Sequence, residues 1–240
     1  MSKTVKIASI YPTLLGTYGD GGNVAALRHI AALHGISASV DEVSPGQKVP
    51  ANADIYVLGG GEDTAQSAAA AALHASGALA EGVKNGASVL AICAGYQILG
   101  HTFLDAEGKP SEGLALLDVT TDRLEKRAVG EMIAHPLATG PSGITAVLTG
   151  YENHGGHTHL GPGVQPFASV TTGVGNGDGT EGAINGRVIG TYFHGPCLVR
   201  NPQVAEQLLG WAVDRKLEHI VEAEVEALRK ERLEFVTKKR

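Results

Sequence analysis

Cys93 stands at a junction that chemistry could use. Val89-Leu90-Ala91-Ile92 reads as a short apolar strand, one reactive residue follows, and Ala94-Gly95-Tyr96-Gln97 opens a helix. A chain turning that sharply needs small side chains around the turn, and Ala91, Ala94 and Gly95 supply them. This is the arrangement of a nucleophile elbow, with Cys in place of Ser. Free N–H groups at the helix N-terminus would stabilise a thiolate, and then the oxyanion that forms when the thiolate attacks a carbonyl. Spacing alone leaves open the plainer reading of a buried cysteine at a strand end. A base must complete such a site, and His194 is the best placed of the ten histidines. Residues 189–193 read as a strand that ends at His194-Gly195-Pro196. Two groups at strand termini can converge over one edge of a parallel sheet. A lone histidine after a strand is more often structural, but pairing with an elbow cysteine reverses that balance. Cys197 has no elbow around it and reads as a small filler.

The elements that must position these two residues alternate along the first half of the chain. Strands are predicted over 5–10, 36–43, 55–58 and 89–92. Helices are predicted over 23–34 (Val24, Leu27, Ile30, Ala31 and Leu33 inward, Gly35 as stop), over the alanine-rich 64–83, and over 96–104. Such alternation means βαβ units and a parallel sheet covered on both faces. From about Leu116 the texture becomes strand-like, with Gly, Pro and Thr between the runs. Residues 144–149, 167–171 and 187–193 are the best strand candidates there. A helix over 202–214 follows, with Asn201 as N-cap and Pro202 at its first position. A last, highly charged helix is expected over 217–236, with Leu217, Val221, Val225 and Leu228 as its apolar stripe. It would either pack on the domain or face a partner.

The chain has 240 residues and a formal net charge of -6. That length suits a large α/β domain with a real core. With 19 Lys+Arg against 25 Asp+Glu and only 5% aromatic residues, it has neither the basic footprint nor the stacking platforms of a nucleic-acid binder. No apolar run approaches the roughly 18 residues needed to span a bilayer. The first ten residues lead into a strand without a signal peptide's cleavage pattern. Two cysteines do not make a disulfide scaffold.

The segment Ala-Ile-Cys93-Ala-Gly-Tyr-Gln97, the loop Gly59-Gly60-Gly61-Glu62-Asp63 and the ending Thr-Tyr-Phe-His194-Gly together resemble class I, triad-type glutamine amidotransferases. The His-Gly ending and Glu152-Asn153-His154-Gly155-Gly156 are most similar to the cobyric-acid-synthase-like branch. Within that branch, Tyr11-Pro12 and Tyr18-Gly19-Asp20-Gly21-Gly22-Asn23 resemble GatD-type subunits. The resemblance implies a flavodoxin-like, three-layer α/β glutaminase domain with a mixed, mostly parallel sheet over residues 5–215, and a separate charged helix over 216–240. It implies that Cys93 attacks the side-chain carbonyl of L-glutamine and that His194 moves the protons. It also implies that backbone N–H groups of Ala94 and of the Gly60-Gly61 loop hold the oxyanion, and it places Gln97 among the substrate-binding residues. Arg127 matches the position that holds the glutamine α-carboxylate, a task suited to a planar guanidinium. No cofactor is implied in this chain. ATP and Mg would belong to a Mur-ligase-like partner that uses the ammonia to amidate lipid II. Such a protein would be cytoplasmic, reaching the inner membrane face only through its complex.

The chain departs from the wider family in two places. Ala91 stands where Gly is usual two residues before the cysteine, a change small enough to keep the turn. Pro196 stands where the usual third member, a Glu two residues after the histidine, would be, so either another group orients His194 or the pair works poorly without its partner protein. His154, His157 and His159 fall within six residues, yet no carboxylate or cysteine accompanies them as in common zinc motifs. Their glycines suggest a loop at the site's edge or against a partner. Residues 16–22 do not match a phosphate-binding loop and read as a turn. Three other functions stay open on sequence alone: ammonia supply to a corrinoid synthase, a silent scaffold subunit, and a γ-glutamyl peptidase.

Overall fold

The computed structural model describes residues 3–238. In chain order the elements are β1 (Val5–Ile10), α1 (Gly21–Leu33), β2 (Ala38–Val43), β3 (Ile55–Leu58), α2 (Asp63–Ser76), α3 (Ala78–Lys84), β4 (Ser88–Ile92) and α4 (Ala94–Leu99). Then follow β5 (Thr102–Leu104), β6 (Pro110–Glu112), β7 (Val119–Pro136), β8 (Leu148–Leu160), β9 (Ala168–Thr172), β10 (Thr180–Glu181), β11 (Ala183–Asn185) and β12 (Val188–Thr191). Helices α5 (Cys197–Arg200), α6 (Pro202–Ala212) and α7 (Ala223–Lys238) close the chain.

One sheet has the order β11-β12-β4-β3-β1-β2, parallel at every step except the antiparallel β11–β12 edge. Its central strands β3, β4 and β12 are buried at every residue, which is why they read as unbroken apolar runs rather than alternating ones. The connection β1-α1-β2 steps one way along the sheet and β3-α2-α3-β4 steps the other. Right-handed crossovers therefore lay α1 on one face and α2 and α3 on the opposite face. Helices α5 and α6 pack beside α1, and α4 packs beside α2. The layers close over a core that includes Ile7, Leu27, Tyr56, Leu58, Leu90 and Phe193. The strand order reverses between β1 and β3, and the C-terminal ends of strands flanking such a reversal are where open α/β sheets place their sites.

The second sheet is one that the sequence pattern did not disclose. Its order is β10-β9-β7-β5-β6, with β8 paired to β7. The long β7–β8 ladder runs from Val119↔Leu160 to Ala134↔Leu148, and its register shifts between Arg123 and Ala128. That irregularity bows residues 124–127 out of the ladder, as bulges do where a side chain must be re-aimed. An antiparallel bridge between Tyr151 and His194 joins this sheet to the end of β12.

Several boundaries differ from expectation. The helix expected over 64–83 breaks at Gly77, whose φ of 61° ends α2 and starts α3. The helix expected over 96–104 stops at Leu99. The chain extends at Gly100, and Thr102–Leu104 pairs with β6 and β7 instead. Strand β8 begins at Leu148 rather than at 144. The last helix begins at Ala223, not 217, and the expected apolar stripe does not seat it: Val221 is 68% exposed and Leu228 42%. The buried side chain of Arg229 seats it, donating to the carbonyls of Arg200 and Val147 and to Asn201 Oδ1. Asn201 holds the N-cap position of α6, but its side chain does not cap the helix. It ties the helix to β8 by exchanging hydrogen bonds with both backbone groups of Thr149. Arg229 thus binds the segment 216–240 to the domain, and the last two residues of that segment lie outside the described ones.

Candidate active site

Four loops meet at the C-terminal edge of the parallel sheet. They follow β1 (Asp20), β3 (Gly59-Gly60-Gly61), β4 (Cys93) and β12 (His194). Cys93 has φ 51° and ψ −107° between β4 and α4. A non-glycine residue there costs roughly 1–3 kcal/mol and persists only where the surroundings over-determine it. Its N–H donates to the carbonyl of Thr191 at 2.8 Å, so Cys93 hangs from the last residue of β12. Gly95 just beyond donates to the carbonyl of Gly59. The elbow is therefore held from both neighbouring strands.

His194 is buried, with 2% of its surface exposed. Its Nδ1 lies 3.2 Å from both carboxylate oxygens of Asp20. No hydrogen bond occupies its Nε2 among the described residues, which leaves that nitrogen open to take a thiol proton. Burial alone would lower the imidazole pKa, but the carboxylate of Asp20 and the neighbouring Cys93 sulfur outweigh it and push the value up to about 10. The site thus favours the protonated imidazole. Asp20 stands where a group orienting His194 would, a position the sequence left unassigned. It sits in the turn read over 16–22, 174 positions before His194, and only the sheet topology brings them together. The one available signal was its place in the glycine-rich turn that opens the helix after β1.

Asp20 also accepts a 2.7 Å hydrogen bond from the Gly60 N–H. This corrects the expected oxyanion hole: the Gly60 N–H is committed to the carboxylate, leaving the N–H groups of Gly61 and Ala94 as the backbone donors without a partner among the described residues. Gly60 matters for space instead. A Cβ there would lie 2.7 Å from His194 Cε1 and 3.3 Å from both Asp20 Oδ2 and Cys93 Cβ, so only glycine lets these three side chains converge.

Arg127 lies on the bowed segment of β7 and reaches the site. Its Nε donates to Asn153 Oδ1 at 2.8 Å, and Asn153 turns its carbonyl to within 4.0 Å of Cys93 Sγ. Tyr18 packs its ring against His194, with centroids 4.9 Å apart, and donates its hydroxyl to Glu62. Arg127 and Gln97 line a common cavity of about 260 Å³ with Asp63, Arg123, Gly155 and Gly156. A larger cavity of about 510 Å³ shares no residue with it and is lined by no titratable side chain; Cys93 and His194 line neither cavity.

Gln97 is fixed on both sides. Its Oε1 accepts from Gln66, and its Nε2 donates to the Tyr192 hydroxyl. Tyr192 stacks on His154 at 3.6 Å, and His154 meets Gly156 and Glu152. Residues 152–156 are thus not the expected loop but the middle of β8. The three histidines do not converge. His154 points into the core, while His157 and His159 lie on the outer face, where His159 pairs with Asp122. Cys197 is fully buried, and burial pushes its thiol well above the usual range, which leaves it inert as a nucleophile.

Comparison with known proteins places this geometry. The CobB/CobQ-like glutamine amidotransferase domain matches residues 6–202. The chain is 36% identical over 217 residues to the lipid II isoglutaminyl synthase (glutamine-hydrolyzing) subunit GatD of Streptococcus pneumoniae, covering 88% of this chain and 82% of that protein. It is 34% identical to the subunit of the same name from Staphylococcus aureus, covering 84% and 82%. Among solved structures, a glutamine amidotransferase superimposes with a TM-score of 0.57 at 20% identity, covering 86% of this chain and 98% of the other.

Proposed function

The chain belongs to the CobB/CobQ-like glutamine amidotransferase family, and from that premise we propose that it is the glutamine-hydrolysing subunit of a lipid II isoglutaminyl synthase. One observation carries the reading: a cysteine on a strained elbow meets a buried histidine whose far nitrogen is held by Asp20. That is the constellation of a nucleophile, its base and an orienting group.

The steps follow from the positions. Glutamine enters the cavity beside Gln97, and Arg127 holds its α-carboxylate with parallel hydrogen bonds. Cys93 Sγ attacks the side-chain carbonyl carbon, and the N–H groups of Gly61 and Ala94 receive the oxyanion. His194, protonated at Nε2 by the thiol, gives that proton to the departing nitrogen. The C–N bond breaks, ammonia leaves, and a γ-glutamyl thioester remains on Cys93. A water molecule then loses a proton to His194 and attacks the thioester. Glutamate leaves and the thiol is restored. Asp20 keeps the imidazole in the tautomer that exposes Nε2 throughout.

The ammonia goes to a Mur-ligase-like partner, which uses ATP and Mg to activate the D-glutamate α-carboxyl of lipid II and forms D-isoglutamine. The relatives' names as subunits support a two-protein enzyme. The test measures glutamate, ADP and amidated lipid II together, with the chain alone and with that partner. Hydrolysis should be slow alone and faster in the complex, with matching yields of the three products. Cys93→Ala should abolish hydrolysis, and a glutamine-like electrophile should label Cys93 and not Cys197. An alanine variant with wild-type hydrolysis, or a complex that amidates a corrin carboxylate and not lipid II, overturns the assignment.

A further inference from the structure

Glu181 is completely buried at the end of β10, against the end of β12, and the mechanism does not use it. Among the described residues it forms no ion pair, and its Oε2 has no hydrogen-bond partner. A buried carboxylate without a cation is costly, and an apolar side chain of similar size would fill the space more cheaply. Its remaining oxygen shows what the carboxylate does. Oε1 accepts from the Thr191 hydroxyl and, at 2.8 Å, from the Tyr192 N–H. The Thr191 hydroxyl oxygen in turn accepts from the Phe193 N–H at 3.1 Å.

These contacts lie where β12 leaves the sheet. Thr191 is the last residue paired with β4, opposite Ile92. Beyond it the backbone must break from the ladder to deliver His194, and the N–H groups of Tyr192 and Phe193 lose their strand partners. An orphan buried N–H costs about as much as a lost hydrogen bond. Glu181 takes one of them and, through Thr191, secures the other. The same Thr191 offers its carbonyl to the Cys93 N–H at 2.8 Å. Nucleophile and base are therefore both hung from one residue, and one carboxylate clamps that residue and the turn after it.

We infer that Glu181 is a positioning residue, which sets the separation of Cys93 and His194 by clamping Thr191 and the backbone turn between Thr191 and His194. The inference rests on the reading of Cys93 and His194 as nucleophile and base. It works through accepted hydrogen bonds, so an isosteric amide that keeps Oε1 replaces the carboxylate.

The experiment compares Glu181→Gln, Glu181→Ala, Thr191→Val and Cys93→Ala in the full chain, with kcat, KM and Tm read for each on glutamine hydrolysis. Glu181→Gln should hold kcat within about threefold of wild type, whereas Glu181→Ala should lose about 10- to 100-fold in kcat, the scale of an ångström-sized misplacement. KM should move by less than about twofold in both, because the glutamine-holding groups are untouched. Thr191→Val keeps the carbonyl and the volume but removes the hydroxyl, and should lose about tenfold in kcat. If Glu181→Ala does not fold, Thr191→Val decides. A lowered Tm with unchanged kcat per folded molecule would make Glu181 structural only and overturn the inference. So would a glutamine variant as impaired as the alanine one. Cys93→Ala separates the two readings. An active Cys93→Ala variant removes the premise, whereas an inactive one beside an unimpaired Thr191→Val removes only the role of Glu181.

Discussion

Replacing Asp20 by Asn tests the part of the site that carries most of the geometry. Asp20 Oδ2 serves two donors, the Gly60 N–H at 2.7 Å and His194 Nδ1 at 3.2 Å. An asparagine keeps the shape but has one oxygen. The Gly60 N–H needs an acceptor, so the amide oxygen stays there and the NH₂ group faces His194. Nδ1 then meets a donor at the Oδ1 position as well as the acceptor at Oδ2, and donation from the NH₂ group draws the imidazole proton to Nε2, the nitrogen that has to take the thiol proton. Each hydrogen bond to a charged group contributes roughly 1.5–3 kcal/mol. At tenfold in rate per about 1.4 kcal/mol, losing one contact costs about 10- to 100-fold, and losing both costs about 10²- to 10⁴-fold. The wrong tautomer favours the upper end.

The assay is steady-state glutamate release across pH. The expected result is a fall in kcat with little change in KM, since Asp20 does not touch the glutamine-holding residues. The alkaline limb should also move. In the wild type, Asp20 and Cys93 hold the imidazolium up to about pH 10, and without the carboxylate it deprotonates at lower pH. The stability linkage has the same origin. The stabilisation from a raised histidine pKa is complete below the unfolded value near 6.5 and disappears as pH rises through about 10. The stability gap between wild type and Asp20→Asn should therefore narrow across that window. An Asn variant within about threefold of the wild-type kcat would refute the tautomer argument.

Other expectations follow from single contacts. Arg127→Ala should raise the KM for glutamine by about 10- to 100-fold, and Arg127→Lys should recover little of it, because a point charge cannot make two parallel bonds to a carboxylate; full recovery by lysine would count against the assigned role. Gly60→Ala should cost about 10²-fold in kcat, because its Cβ would lie 2.7 Å from the His194 ring, and overpacking should lower Tm by several degrees, readable by calorimetry. Burial pushes the Glu181 carboxyl up to about 7, with the charge of Glu152 adding to it and the hydrogen bonds from Thr191 and Tyr192 opposing it. A raised carboxyl pKa favours the protonated folded state, so wild-type stability relative to Glu181→Gln should decline as pH rises from about 4.5 through 7 and then level off. A flat difference in Tm over that range would mean that Glu181 ionises as freely in the folded chain as in the unfolded one.

What could be read from the sequence follows from how far apart the cooperating residues lie. The elbow at Cys93 and the strand ending at His194 are encoded within a few residues each, as small side chains around a turn and as buried parallel strands without alternation. The first sheet was legible for the same reason. The second sheet was not. Strand β7 carries Asp122, Arg123, Glu125, Lys126 and Arg127 in close succession, and β8 places Gly155 and Gly156 at its centre. Charge runs and paired glycines ordinarily mark loops. Here the charged residues are all exposed, three of them on the segment bowed out of the ladder, and Gly156 leaves room for the amide of Gln97 and the hydroxyl of Tyr192.

The missed groups share one property. Asp20, Glu152, His154 and Glu181 are polar side chains buried by contacts distant in sequence. Periodicity assigns such residues to the surface or to turns, since burying them singly is unfavourable. Each is tolerated because something beyond the reach of local pattern satisfies it: two N–H groups of the 174–175 turn for Glu152, the carbonyl of Gly156 for His154, the end of β12 for Glu181, and Gly60 with His194 for Asp20. The candidate nucleophile and base could thus be proposed from local sequence, whereas the groups that hold them in register could be identified only once distant strands were assembled into sheets.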